Sequence, residues 1–104
     1  MALTKIKYGV LGTEFTTSAA VAASDIDFSS AAIFTKTLTA KTTFTFSNAE
    51  TGMVKDLILT GEFDPTFPVG TKQINGTYDG TVSNFIQISV VADGDYWLSI
   101  SQAQ

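Results

Sequence analysis

Asn84-Phe85-Ile86-Gln87-Ile88-Ser89-Val90-Val91-Ala92-Asp93-Gly94-Asp95-Tyr96-Trp97-Leu98-Ser99-Ile100-Ser101 is the stretch on which the fold reading turns. Apolar and polar residues alternate on both sides of Asp93-Gly94. Asp-Gly between two such segments marks a tight antiparallel hairpin whose two turn positions both require positive φ. Ile86, Ile88 and Val90 share one face of the first strand, and Tyr96, Leu98 and Ile100 share one face of its partner. The opposite face carries Phe85, Val91 and Trp97. A sheet with one wetted side does not place so much apolar surface there, so these three residues are predicted to be covered, by a loop or by another copy of the chain.

The remaining segments read as further short strands. Val54 to Glu62 alternates, with Leu57 and Leu59 on one side and Asp56, Ile58 and Thr60 on the other. Ile33 to Thr39 and Thr42 to Ser47 read as a second hairpin joined at Ala40-Lys41, with Phe34, Leu38, Phe44 and Phe46 inward and threonines outward. Asp25 to Ser29 places Ile26 and Phe28 on one face of a short edge strand, and Lys5 to Val10 reads as a first strand. The Ala-rich piece Ser18 to Ser24 reads as a loop or a single helical turn. Between Gly61 and Gly80, Pro65 and Pro68 exclude a central strand, and Asn75-Gly76 and Asp79-Gly80 are turn signals, so only short pieces near Phe67 and Gln73-Ile74 are expected to pair. About eight short strands joined by hairpins predict an all-β fold, a small antiparallel, jelly-roll-like β-sandwich, with a partly closed β-barrel as the alternative.

With 104 residues, 44% of them hydrophobic and 15% charged, the chain has the length and composition of one folded domain. It contains no cysteine and no histidine, which removes disulfides, thiolate chemistry and both Ser-His-Asp and Cys-His nucleophilic arrangements. A pair of carboxylates drawn from acids such as Asp56, Glu62 and Asp64 is the one catalytic arrangement composition leaves open, but nothing around these acids marks a pair, and they read as solvated loop and rim charges. No catalytic residue and no cofactor are therefore assigned. Asp93-Gly94-Asp95 with Asp79 offers oxygen ligands of the kind calcium uses, but the motif is shorter than a calcium loop and reads as a turn. The six basic residues are all lysines scattered from Lys5 to Lys72, and the net charge is −4, which argues against nucleic acid as a partner. No run approaches the length of a membrane span and the first residues lack a signal peptide's apolar core, so assembly in a cytoplasm is expected. Tyr96 and Trp97 remain as anchors for a core, an interface or a sugar ring.

Phe34-Thr35-Lys36-Thr37-Leu38-Thr39-Ala40-Lys41-Thr42-Thr43-Phe44-Thr45-Phe46-Ser47-Asn48 resembles a pattern met repeatedly in virion proteins of tailed bacteriophages, where a strand ending in Leu-Thr runs through a short turn into Thr-Thr-Phe-Thr-Phe. Leu57-Ile58-Leu59-Thr60-Gly61, Phe67-Pro68-Val69-Gly70-Thr71 and Gly76-Thr77-Tyr78-Asp79-Gly80 followed by Asn84-Phe85-Ile86 are similar too, in the same order, over residues 26 to 102. The resemblance implies a β-sandwich module of a fibre, spike or head decoration protein, commonly a homotrimer, attached to capsid or tail proteins of the virion. It brings no catalytic residue. Such modules often end a longer fibre, whereas here Met1 leads almost directly into the pattern. The expectation is a small stand-alone virion component, with residues 1–25 as an arm docking on a neighbour or the shell and residues 26–104 as the β-domain. A module binding a host receptor or surface glycan through residues 70–83 and Trp97 is the rival expectation.

Overall fold

A computed structural model describes residues 17–21 and 23–103, and among these every regular element is a strand. The expected C-terminal hairpin is present: β9 (Asn84–Ala92) and β10 (Asp95–Gln102) pair antiparallel, with Ile86 opposite Ile100, Ile88 opposite Leu98 and Val90 opposite Tyr96. Its turn differs in detail. Gly94 has φ 73°, but Asp93 does not enter the left-handed region. Asp95 pairs with Ala92 and Tyr96 with Val90, so Val91 is left over as a bulge beside the turn.

The N-terminal half corrects the hairpin expected at Ala40-Lys41. β3 (Ile33–Thr37) does not fold back onto the segment that follows it but lies parallel to β6 (Val54–Thr60), with Phe34 beside Leu57 and Thr37 beside Thr60. β4 (Thr42–Thr43) runs parallel to β7 (Pro65–Thr66), and β5 (Thr45–Ser47) runs parallel to β2 (Asp25–Asp27). The chain therefore turns corners and lays each coil on the last. Backbone bonds continue through the corners, from the Leu38 N–H to the Thr60 carbonyl at 2.7 Å and from the Phe44 N–H to the Thr66 carbonyl at 2.7 Å. Alternation in sequence reports which face a side chain takes, not which strand lies beside it. Ala40 and Lys41 also lack the ready access to positive φ that a two-residue hairpin turn requires. The reading of Ser18 to Ser24 as a loop or helical turn is corrected as well, since β1 (Ser18–Ala20) pairs parallel with β3, Ala19 beside Phe34. Of the expected arm at residues 1–25, the described part thus enters the sheet. The strand expected over Lys5 to Val10 lies outside the described residues.

The main sheet has six strands in the order β1-β3-β6-β9-β10-β8, parallel from β1 to β6, antiparallel through β9 and β10, and parallel again where β8 (Thr71–Asn75) joins β10. The all-β class stands, but the sheets are mixed and the stacked coils have the character of a solenoid rather than of a clear antiparallel sandwich or barrel. The core lies between this sheet and the short rungs β2–β5 and β4–β7. Phe34, Leu57, Leu59, Ile86, Ile88, Leu98 and Ile100 come from the sheet, and Ile26, Phe28 and Phe44 from the other side, all buried. Phe46 ties the layers together, its ring 5.2 Å from Phe28, 6.4 Å from Phe67 and 4.8 Å from Tyr96 on β10.

Asn84, fully buried at the start of β9, closes the irregular segment before it. Its Nδ2 donates to the carbonyls of Asp79 at 2.7 Å and Val82 at 3.1 Å, and its Oδ1 accepts from the Asp79 N–H at 2.9 Å and from Gln102 Nε2 at 2.8 Å. Replacing Asn84 with Ala leaves several of these groups unpaired and is expected to cost about 2–4 kcal/mol in urea unfolding, well above an ordinary surface substitution. Gly76 offers a second check on how β8 approaches β10. A Cβ there would sit 1.8 Å from the Ile100 carbonyl oxygen, whereas a Cβ on Gly94 would meet nothing within 4 Å, although both have positive φ, 76° and 73°. Gly76→Ala should therefore lower the thermal midpoint clearly more than Gly94→Ala, which carries only the backbone strain.

Candidate interaction surface

Side chains that alternate away from the core form a second, outward face of the six-stranded sheet. The registers arrange it in rows across the strands. Ile33, Asp56, Gln87 and Ser99 form one row, Thr35, Ile58, Phe85 and Ser101 the next, and Val54, Ser89, Trp97 and Lys72 a third. Phe85 and Trp97 stand on this face with Val91 at the bulge, each between 39 and 43% exposed. The three do not touch as one patch. Phe85 and Trp97 are separated by the Gln87–Ser99 row, a distance of about 13 Å along the strands. Phe85 instead neighbours Ile58, and Trp97 faces Val54, which is 52% exposed, across the small side chain of Ser89. Sequence reasoning missed Val54, Ile33 and Ile58 as members of this face. Val54 and Ile58 share the parity of Asp56 along β6, but Ile33 could be placed only by knowing that β3 lies parallel beside β6.

Trp97 is held by its neighbours. Its Nε1–H donates to Asp95 Oδ1 at 3.2 Å, the same oxygen accepts from Lys72 Nζ at 2.8 Å, and Lys72 Nζ lies 5.9 Å from the indole centroid. Lys72 holds the Asp95 carboxyl below the usual carboxylate range. An exposed ion pair of this kind adds little stability, so its effect is on the orientation of the ring. Tyr96 points the other way, edge-on to Phe46.

The candidate acids are not brought together. Asp56 sits in the middle of the outward face, while Glu62 and Asp64 are exposed beyond the end of β6, whose last residue Thr60 is already about 13 Å along the strand. Asp79 accepts from the Thr81 N–H at 2.9 Å and hydroxyl at 2.6 Å, Asp95 is engaged by Lys72, and Asp93 lies in the hairpin turn. Among the described residues no three acidic groups gather as a set able to hold a metal ion. No helix among them is long and apolar enough to cross a membrane.

Asp56 differs from the other acids. Its Oδ1 is shut off from solvent and has no hydrogen-bond partner. Burial pushes its carboxyl above the usual value of 3.8, partly opposed by a hydrogen bond from Gln87 on the neighbouring strand. Asp27 and Asp79 shift the opposite way, lowered by hydrogen bonds from Asn48 and Ser29 and from Thr81.

No family model matches the chain, and neither a curated protein nor a solved structure matches it.

The shifts fix the sign of a pH experiment. A carboxyl lowered on folding contributes stability that is lost as the pH falls through its folded pKa. Asp56, raised on folding, penalises the folded state above its own titration, and the penalty lifts on acidification. Asp56→Asn is expected to raise the unfolding midpoint relative to wild type at pH 7 and to leave it nearly unchanged at pH 3, as followed by thermal melts at both values.

Proposed function

We propose that this protein is a non-enzymatic structural component of a tailed-bacteriophage virion, a head decoration protein or a short fibre or spike, which assembles as a homotrimer and contacts capsid or tail proteins. The observation that carries the proposal is the outward face, where Val54, Phe85, Val91 and Trp97 are half-exposed on strands locked into a continuous sheet. Apolar side chains on a rigid sheet suit a permanent contact, because little side-chain or backbone freedom remains to be lost on association. The likeness of residues 26–102 to phage virion modules supports the same reading. The sandwich form expected of such modules is the part of that likeness which the mixed, solenoid-like sheet does not support. The dispersed acids and the absence of histidine and cysteine favour a non-catalytic role.

A second reading, recognition of a host-surface glycan, is favoured by one arrangement, the oriented Trp97 with Asp95 and Lys72 beside it. Aromatic faces flanked by charged hydrogen-bonding groups suit sugar rings. Glycan-array binding above background, abolished by Trp97→Ala, would favour it over the structural role.

For the leading reading, sedimentation or light scattering at micromolar concentration should show an oligomer, with three copies expected. Trp97→Ala should weaken association by about tenfold or more while shifting the unfolding midpoint of the subunit little, since Trp97 is outside the core. A strictly monomeric chain would count against the proposal.

A further inference from the structure

Resting on that self-association, we infer that a second copy of the chain covers the outward face and that Asp56, at its centre, acts as a proton-controlled brake on the contact. Charge distribution selects the occupant. The chain carries a net charge of −4, and Asp25 and Asp27 lie on the opposite layer while Glu50, Glu62, Asp64, Asp79 and Asp93 lie in loops and turns. On the outward face the described charges are Asp56 and, at its margin, the mutually neutralised pair Lys72–Asp95. Identical acidic molecules repel least where they meet through this face.

Asp56 then becomes the obstacle. Among the described residues, the positions that flank it on this face are uncharged: Val54 and Ile58 on β6, Ile33 and Thr35 on β3, and Phe85, Gln87 and Ser89 on β9, of which Gln87 hydrogen-bonds the carboxyl. The lysines of these strands alternate to the inward side, where Lys36 Nζ donates to the Val21 carbonyl at 3.2 Å and Lys55 is buried. No cation among the described residues faces the Asp56 carboxyl, and one of its oxygens is already cut off from water and unpaired. A second copy would shut the rest of the carboxyl off from solvent, leaving it the hydrogen bond from Gln87. The ionised form resists that step and the protonated form does not, so assembly takes up a proton and tightens as the pH falls. Burial already raises its carboxyl above the usual value, in the same direction.

The test compares dimerisation or trimerisation constants at pH 7.5 and pH 4.5 by sedimentation for wild type, Asp56→Asn, and Asp64→Asn, which removes the same charge from an exposed loop. Wild type and Asp64→Asn should associate about tenfold or more tightly at pH 4.5 than at pH 7.5, the ratio that a rise of about one pKa unit on assembly gives. Asp56→Asn should associate tightly at both. Gln87→Glu, an exposed position beside Asp56, should weaken association at pH 7.5 and steepen the pH response. If Asp56→Asn keeps the pH response of Asp64→Asn, the brake is overturned while self-association stands. If wild type is monomeric at both pH values, self-association itself fails, whether residues 1–16 of the same chain or an unrelated molecule covers the face. If the chain associates but Phe85→Ser and Trp97→Ala leave it unaffected, the contact lies elsewhere and the inference is overturned.

Discussion

The structure depends on β6 having two unlike neighbours. Along one edge it receives β3 in parallel register, and along the other it receives β9 antiparallel. This joins a coiled N-terminal part to a hairpin in a single sheet and commits the seven residues of β6 to alternate faces, Leu57 and Leu59 into the core and Val54, Asp56 and Ile58 away from it. A slip of one residue on either side would exchange those sets and bury Asp56 among phenylalanines. The hydrogen-bonded corners at Leu38 and Phe44 and the polar closure at Asn84 serve the same register, since each holds a connecting segment at one height relative to β6 or β9.

The legible parts of this fold were those set by local pattern. Period-two alternation placed Leu57, Leu59, Ile86, Ile88 and Leu98 inward correctly, and Asp93-Gly94 located the last turn even though Val91 had to bulge for it to close. Prolines 65 and 68 rightly limited the middle of the chain to the two-residue β7 and the edge strand β8. Strand partners were not legible. Nothing within Ile33 to Ser47 distinguishes a hairpin from two sides of a coil, because both demand the same inward phenylalanines. The choice is made by residues twenty or so positions away, such as Asp56 beside Ile33 and Thr45 beside Asp25. For the same reason the sequence placed Phe85, Val91 and Trp97 on one side of a hairpin, yet could not reveal that Val54, Ile33 and Ile58 extend that side across other strands.

Polar ties on the far layer show how the coil is kept in step where the strands are too short to hold themselves. β2 and β5 have three residues each. Asp25 accepts from the hydroxyls of Thr45 at 2.8 Å and Ser47 at 2.6 Å, and Asp27 accepts from Asn48 Nδ2 at 2.8 Å, so both aspartates bond across the rung. Asn48 reaches Asp27 from a left-handed backbone conformation, φ 55°, which asparagine tolerates better than most residues. Exposed bonds of this type add modestly to stability, but they favour one rung alignment over its neighbours while Ile26 and Phe46 fill the inner side.

The conflict on the outward face follows from the same alternation. Position 56 must point away from the core, where an acid would ordinarily be solvated, yet the flanking strands place Ile33 and Gln87 beside it and close water off from one oxygen. Asp95 shows the other outcome. Its carboxylate meets Lys72 and the Trp97 indole at the sheet margin, and its charge is stabilised. A carboxylate without a cation partner in the middle of an uncharged face disfavours covering, whereas a paired carboxylate at the edge orients an aromatic residue without adding net charge. The two aspartates therefore divide the face into a centre that carries a partly desolvated carboxyl and a rim whose geometry is already set. That division follows from which strands flank each acid, and it would be lost if either acid were exchanged for the other's surroundings.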